Sequence, residues 1–596
     1  AHMTHVAEEL AGKVADIRVL ELSSLPEKGD VSDWLNAGHT VEELEALADQ
    51  AKPVASTAPP EEADIPEPTA TSQRKVTLNV VAGDFPELVD ETESALIAHE
   101  PNLFQRSNEL VRVIVSRAET VHGISRPRGK LLIAPLDAES LLDKLNRCIR
   151  WQRWNLRKSD WKPCNAPRPV ATALLARCGE WRVPHLVGVV TTPTLRPDGT
   201  VIEKPGYDAA TGLLLVPNGA DFPPLPARPT RDQGRAALDF IHEEVLSGFP
   251  FAETHDRSAA LSAILTACIR HALRTAPLHA FDAPRAGSGK SLLADVVALI
   301  ATGGTATHMS FAPEPDEMRK RILAVLMQGD SVINLDNIEG PLHGESLCTA
   351  LTGETFSERL LGVNRTATAP TTCTWLATGN NLILQGDMTR RVIPCQLDPQ
   401  CERPEERRFN RNLHEWIPPN RPALVAAALT ALRAYIAAGK PRQAIAPFGS
   451  FEDWSDTVRS ALVWLGEADP NLGRSRLETT DPIRAKLRGL LLAWYSAFKT
   501  APATAKELIG EANKTCWDAG NEVRSNPALF DVLSEHFSDR RGEISGHFIG
   551  HFIKRYARRI EQGARLEAVE KSGVRQKWRV AIVDRQSFDA AANLIS

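Results

Sequence analysis

Gly289, Lys290 and Ser291 stand where a turn rich in Gly, Ala and Ser gives way to helical spacing, in FDAPRAGSGKSLLADVVALI from Phe281 to Ile300. An apolar lead-in, a tight loop and a helix start are the parts of a phosphate-binding loop. Backbone N–H groups and the helix dipole hold polyphosphate, an ammonium reaches the outer phosphates, and a hydroxyl ligates Mg²⁺. On this reading Lys290 meets phosphate and Ser291 the metal. The cradle runs Pro284, Arg285, Ala286, Gly287, Ser288, Gly289, Lys290, Ser291 and Leu292. One position departs from the pattern: Pro284 stands where the loop's first Gly is expected, five residues before Gly289. The loop therefore needs companions.

Three stretches supply them. SVINLDN is an apolar strand ending in Asp336, 45 residues after Ser291. A carboxylate at a strand end beside a phosphate loop suits a Mg²⁺ organiser, so Asp336 joins Ser291 as a metal ligand. TTCTWLATGNN is a second apolar strand, and Asn380 at its tip can orient water or sense a γ-phosphate. GDMTRRVIPCQLD carries Arg390 and Arg391 into a further strand. Paired arginines there suit an arginine finger reaching the neighbour's γ-phosphate across a subunit interface. In this order the stretches predict a P-loop ATPase using ATP and Mg²⁺, with Lys290, Asp336, Asn337, Asn380, Arg390 and Arg391 at its catalytic centre.

APRAGSGKS, VINLDN, SERLLG, WLATGNN and GDMTRR together resemble the AAA+ superfamily 3 helicases, especially the poxvirus-type primase-helicase branch of phages, plasmids and genomic islands. The resemblance implies a replicative DNA helicase of a phage or mobile element, a hexameric ring translocating on single-stranded DNA. It also implies that the hairpin in FSERLLGVNRTATAPTTC projects into the ring channel, with Asn364 and Arg365 at its tip; the alternative is an ordinary surface hairpin. Asn337 departs from the pattern, because many AAA+ proteins have a Glu base there. That leaves Glu339, or Asp336 acting through metal-bound water, to activate the nucleophile. GDVSDWLNAGHT resembles the end of a Toprim primase domain, whose catalytic Glu and Asp-x-Asp have no counterpart here.

The elements that must position these residues form a multidomain α/β chain. Residues 4–51 are the Toprim-like remnant, with a helix from Val41 to Ala51 capped by Thr40, and 52–75 are a flexible linker rich in Pro, Ala, Thr and Glu. Residues 76–229 form a mixed α+β domain, with hairpins turned at Asp198-Gly199 and around Pro205-Gly206. Residues 230–275 are a helical collar, 276–440 the AAA+ domain closed by a helix from Pro418 to Gly439, and 441–500 a helical connector. Residues 501–596 read as a winged helix: a helical stretch at 503–518, helices from Asn526 to Phe537 and Ser545 to Glu561, then two strands about Ser572-Gly573.

With 596 residues and a net charge of −6, any nucleic-acid partner must be met by local basic patches. One lies in the tail, where residues 541–580 hold ten Arg and Lys against four Glu. Lys554, Arg555, Arg558 and Arg559 cluster on the second helix and Lys571, Arg575 and Lys577 on the wing, which suits duplex DNA. The other is RCIRWQRWNLRKSDWKP, where six cations interleave with Trp151, Trp154 and Trp161. It reads either as a grip on single strands or as a strand whose Trp face is core. The nine cysteines form no C-x₂-C pair, so a zinc site is not expected. No apolar run approaches a membrane span, and a bacterial cytoplasmic location with host replication proteins as further partners is expected. An ATP-switched DNA-binding initiator or regulator is the rival reading, and a primase the second.

Overall fold

In the computed structural model the chain divides into two compact units, 1–73 and 74–596. The structure describes Thr40, Glu43 and Leu47 of the first, and Lys75 to Asn593 of the second except 360–365, 408–410, 475, 477–481, 519–520 and 570–575. In the first unit, the Thr40 hydroxyl accepts from the Glu43 N–H at 3.3 Å while the Glu43 carboxylate accepts from the Thr40 N–H at 3.2 Å, a reciprocal cap on a helix start. The remainder of the Toprim-like reading and the linker, apart from Lys75, fall outside the described residues.

The second unit opens with strand β1 (Val76–Val80), helix α1 (Phe85–His99) and strands β2 (Phe104–Arg106), β3 (Glu109–Val115), β4 (Glu119–Val121), β5 (Ile124–Arg126) and β6 (Leu131–Pro135). Helix α2 (Ala138–Cys148) follows, with its N-terminus capped by Asp137 accepting from Ser140 N–H at 2.7 Å. Strands β7 (Ile149–Asn155) and β8 (Asp160–Cys164) and helix α3 (Arg168–Ala176) complete a small core containing Leu78, Leu96, Leu145, Trp151 and Leu174. Short strands β9 (Gly188–Val190), β10 (Thr194–Leu195), β11 (Val201–Ile202), β12 (Gly206–Asp208) and β13 (Leu213–Leu215) come next. The first hairpin turns around Asp198-Gly199, but the second turns between Asp208 and Gly212. Gly212 has a φ of 71° and Asp208 accepts from the Thr211 hydroxyl at 2.6 Å, whereas Gly206, with a φ of 116°, is the first residue of β12 and lies outside the hairpin's turn.

Helices α4 (Arg231–Ile241) and α5 (Thr254–Ile269) lead into a five-stranded parallel sheet. Its strands are β14 (Leu278–Ala283), β15 (Thr307–Ser310), β16 (Val332–Ile338), β19 (Thr374–Asn380) and β20 (Val392–Gln396), with β17 (Thr355–Arg359) and β18 (Thr366–Pro370) forming a separate antiparallel hairpin. The spatial order is β20-β14-β19-β16-β15, and helices α6 (Lys290–Thr302), α7 (Pro315–Gln328) and α8 (Glu345–Thr352) belong to the crossovers. β14 and β19 are almost continuously buried, as parallel strands covered on both faces must be. Helix α9 (Leu413–Ala437) starts five residues before Pro418. Asn412 caps it by accepting from His414 N–H at 3.1 Å, and the carbonyls that Pro418 and Pro419 leave without donors belong to the exposed His414 and Glu415.

Two groupings differ from chain order. The central sheet does not stop at β15: β5 pairs antiparallel with it, His308 facing Ser125, and β4 pairs with β5. Strands from the 76–229 segment thus complete a seven-stranded sheet. The 441–500 segment is divided as well. Phe448, Trp454 and Leu465 pack on the central core, while helix α10 (Pro482–Phe498) packs in a C-terminal core with Leu508, Leu533, Ile549 and Val580. That core holds helix α11 (Ala505–Ala512), strands β21 (Thr515–Asp518) and β22 (Asn521–Arg524), helices α12 (Pro527–Phe537) and α13 (Gly546–Tyr556), strands β23 (Ala564–Ala568) and β24 (Trp578–Ile582), and helix α14 (Arg585–Asn593). Residues 515–518, expected in a helix, are a strand because Thr515, Cys516 and Trp517 pair across to 522–524.

A buried charge cluster fastens the sheet extension to the central domain. Asp330 accepts from Arg126 Nη2 at 2.9 Å and from the Thr307 hydroxyl at 2.5 Å, and Thr307 accepts from Lys130 Nζ at 2.6 Å. Burial pushes the Lys130 ammonium down to about 8, against the pull of Asp330. Replacing Asp330 by Ala strands two buried cations and should cost about 3–5 kcal/mol in chemical denaturation. Lys130 keeps its proton to higher pH when unfolded, so stability should rise with pH from about 8 towards 10.5. Lys130→Met should abolish that rise, and a rise that survives it would exclude Lys130 as the source.

Candidate active site

β14 ends at Ala283, and the chain turns through Pro284 to Gly289 into α6. Gly287 and Gly289 have φ of 74° and 96°, the left-handed region that Gly enters without strain. At Gly287 a side chain would also be tight, because its Cβ would lie 3.1 Å from the Glu405 Cβ and backbone N. Gly289 is the N-cap of α6 and provides no side-chain acceptor, so the helix's first N–H groups face the loop without a capping oxygen. Pro284 has no N–H, but it sits at the strand exit and the donors come after it.

Lys290 is buried, and its ammonium donates to Arg285 O at 3.0 Å and to Asn380 Oδ1 at 2.8 Å. Asn380 ends β19, the strand next to β14, so a tip side chain of one strand reaches the loop of the other. Burial lowers the Lys290 ammonium, with Asp282 and Asp336 opposing. Burial raises the Asp282 carboxyl, which accepts from Leu382 N–H at 2.9 Å.

Asp336 lies near the end of β16 and is held from several sides. The Thr378 hydroxyl donates to its Oδ1 at 2.7 Å, Asn334 Nδ2 at 3.2 Å and the Ser291 hydroxyl at 3.5 Å. His308 Nδ1 stands 3.6 Å from the other oxygen, and its Nε2 stands 3.5 Å from Asp295, which also meets His414 at 3.1 Å. The Asp295 hydrogen bond raises the His308 imidazole above its ordinary value, burial acting against it. Thr378, His308 and Asp295 had no role in the sequence reading. Thr378 lies in the quoted TGNN, but a histidine on a short strand and an aspartate inside a helix carry no spacing signal.

The sheet register slips after Leu335, and Asn337 takes a φ of 48°. Its N–H donates to Thr378 Oγ1 at 3.3 Å and its Nδ2 to Glu339 at 3.4 Å. The loop amides and Lys290 suit phosphate oxygens, and the Ser291–Asp336 pair suits a divalent cation. Among the described residues no group of three or more His, Cys, Asp or Glu forms a metal cage. An ion held by one carboxylate and one hydroxyl would draw its other ligands from water and phosphate, the habit of Mg²⁺.

The two arginines differ sharply. Arg391 is 12% exposed and donates to Thr352 Oγ1 at 2.6 Å, Cys348 O at 2.8 Å and Asp387 at 2.6 Å. Arg390 is 52% exposed and among the described residues bonds only Asp387, its Nη2 at 3.0 Å. Both line an open groove of about 1730 Å³, together with Arg319 and with His547, His551 and Arg555 of α13.

The β17–β18 hairpin is present, paired to Arg359 opposite Thr366, but Asn364 and Arg365 lie outside the described residues. In the tail, α13 ends at Tyr556, five residues before the expected Glu561. Arg558 has a φ of 67° and donates its N–H to Leu566 O at 2.9 Å, which turns the chain into β23. Only Lys554 and Arg555 are therefore on the helix, both exposed, while Arg558 and Arg559 follow it. Lys577 stands 3.7 Å from Glu507, and Lys571 and Arg575 lie outside the described residues.

No protein-family model and no curated protein matches the chain. Solved structures give remote likenesses. The apo A form of the NrS-1 C-terminal region is 12% identical, with TM-score 0.34, over 83% of this chain and 98% of that one. SCCmec type IV Cch, described as an active helicase, is 13% identical, with TM-score 0.32, over 83% and 99%. JCV helicase is 13% identical, with TM-score 0.18, over 42% and 74%. Likenesses this slight assign no activity, and the functional reading rests on the geometry above.

The hydroxyl of Thr378 is the shortest support of Asp336, which gives a direct test. Thr378→Val keeps the shape and removes the donor, so the Mg²⁺ concentration needed for half-maximal nucleotide hydrolysis should rise several-fold. An unchanged Mg²⁺ requirement would remove Asp336 from the metal site.

Proposed function

We propose that the chain is an ATP-dependent DNA helicase of a phage or mobile element, working as a ring, with the hexamer of the superfamily 3 pattern as its expected form. The observation that carries the reading is the 2.8 Å contact between Lys290 and Asn380, made beside the Ser291–Asp336 pair where adjacent parallel strands end. This is the place where an open α/β sheet binds its ligand.

ATP with Mg²⁺ supplies the phosphoanhydride whose hydrolysis drives movement. The residues 284–292 wrap its phosphates, with the α6 N–H groups as donors. Lys290 is held between a carbonyl and Asn380, so it is already oriented and partly desolvated. Ser291 and Asp336 hold the cation, Asp336 being fixed by Thr378 and Asn334. Asn380 places the attacking water, and Glu339, exposed and within reach of the Asn337 amide, takes its proton. Arg390 has the exposure a trans-acting finger needs, and Arg391 braces the turn that presents it.

Asn364 and Arg365 grip the strand in the channel. Lys554, Arg555, Arg558, Arg559, Lys571, Arg575 and Lys577 meet duplex phosphates from a winged-helix tail, a reading supported by α12, α13 and the antiparallel β23–β24 pair in one core. No helix among the described residues is long and apolar enough to cross a membrane. The second reading, an ATP-switched DNA-binding initiator, draws on the groove shared by α13 and Arg390, where bound DNA would stand beside the finger.

Hydrolysis and strand displacement on a forked substrate test the proposal. Lys290→Ala should lower both by at least about 100-fold. Arg390→Ala should bind ATP normally yet lose hydrolysis about 1,000-fold. Mixing the two inactive variants should restore part of the hydrolysis, since mixed rings contain sites with both side chains intact. No recovery would refute a site shared between subunits. ATP and DNA binding without strand displacement in the wild type would favour the switch.

A further inference from the structure

The RCIRWQRWNLRKSDWKP stretch resolves into two faces. Three strands order as β1-β7-β8, with β8 at the edge. Across β7 and β8, Trp151 faces Cys164, Arg153 faces Lys162, Trp154 faces Trp161 and Gln152 faces Pro163. Opposite residues share a face, and successive residues alternate. Trp151 points inward: it is 2% exposed, donates to Leu145 O at 3.1 Å and packs in the small core. Trp154 and Trp161 share the other face, their rings 5.4 Å apart and inclined at 70°. Trp154 is 44% exposed, and on β1 the residues of that face, Thr77 and Asn79, are exposed too. One Trp is core and two form an open pair.

The charges around the pair have no internal answer. The side chains of Arg150, Arg157 and Lys158 are exposed and make no hydrogen bond or ion pair among the described residues. Asp160, the single acid between Arg150 and Lys162, is taken by Lys162 at 2.6 Å. Arg153, directly opposite Lys162, lies on the Trp151 side of the ladder and so stands apart from the open pair. Buried aromatics would account for a fold; exposed aromatics ringed by unpaired cations do not help one.

We propose that the outer face of the β7–β8 hairpin is a binding site for single-stranded nucleic acid, separate from the channel hairpin and the tail. An unstacked base lies on Trp154 with Trp161 as its edge partner, and the flanking phosphates meet Arg150, on the same face, and Arg157 and Lys158 at the turn. Two features favour a single strand over a protein surface or a duplex. The ring is accessible for stacking, which paired bases cannot offer, and the cations are spread along the hairpin as phosphates are along a backbone.

The test uses the full chain without nucleotide, in the wild-type and Lys290→Ala backgrounds, so that failure of the ATPase reading leaves the result interpretable. Fluorescent single-stranded oligodeoxynucleotide and its RNA counterpart are titrated by anisotropy. Trp154→Ala with Trp161→Ala should weaken binding of at least one strand by about tenfold or more. Trp154→Phe should stay within about twofold of wild type, and Trp154→Leu, equally apolar but without a π-face, should behave as Ala does. Neutralising the three cations with Gln should lower the slope of log affinity against log salt by roughly 2. A bromouracil-substituted strand should crosslink within 149–164. Unchanged affinity for both strands in the double variant, Leu matching Phe, or crosslinks only outside 149–164 would overturn the site.

Discussion

A parallel sheet covered on both faces meets water only at its strand ends. Every polar group the central domain uses is placed under that constraint. At the carboxyl ends, Asp282, Asp336 and Asn380 are the last or nearly last residues of β14, β16 and β19, and the loop bearing Lys290 leaves the first of these. The pairing of β14 with β19, Ala283 opposite Asn380, sets where the Asn amide stands relative to the loop. Lys290 reaching both Arg285 O and Asn380 is thus a consequence of strand register, and moving any one of these strands would separate groups that belong to different segments of chain.

Ahead of β19 and at the carboxyl ends of the helices the problem is carbonyl groups without backbone donors. Buried arginines solve it. Arg270 donates to Cys373 O at 3.0 Å and Thr371 O at 2.6 Å, Arg421 to Ile300 O at 3.1 Å, and Arg106 to Met327 O at 2.9 Å and Leu326 O at 3.0 Å. Burial lowers each guanidinium to about 10, which still leaves it charged at neutral pH. A guanidinium with five donors and no acceptor fits the task, because carbonyl clusters offer only acceptors. Arg106 comes from β2 and the carbonyls from α7, so this same device, with the Arg126–Asp330 pair, makes the segment before the sheet part of one folded body.

The sequence made the long apolar strands legible, since β14, β16 and β19 are apolar runs bounded by polar turns. The turn from β14 into α6 was legible despite Pro284, because Gly287 and Gly289, which give it its shape, follow that residue. What was hidden depended on partners far along the chain. β4 and β5 are three residues each, too short for a pattern, and their place in the sheet is fixed by His308 and Asp330 about 200 residues away. The end of α13 was hidden for a local reason: Arg558 in the left-handed region has no signature, and only the hydrogen bond to Leu566 explains it. Arg390 and Arg391 looked equivalent in sequence, yet a 3₁₀ turn from Gly386 to Arg390 directs one to solvent and the next into the body.

Asn337 follows from the same backbone logic. The register slip after Leu335 leaves residue 337 with a φ of 48°. Asn enters that region more readily than other side chains with a Cβ, and a Glu there would carry strain of about 1 kcal/mol. The slip also aims the Asn337 N–H at Thr378 Oγ1, the atom that donates to Asp336, so the hydroxyl is oriented by accepting from one side and donating to the other. An Asn at this position is therefore accounted for by the backbone bend and by the hydroxyl that holds the Asp336 carboxylate. Glu339 is two residues on and accepts from the Asn337 amide, so the bend that disfavours a glutamate at 337 leaves one on the same rim.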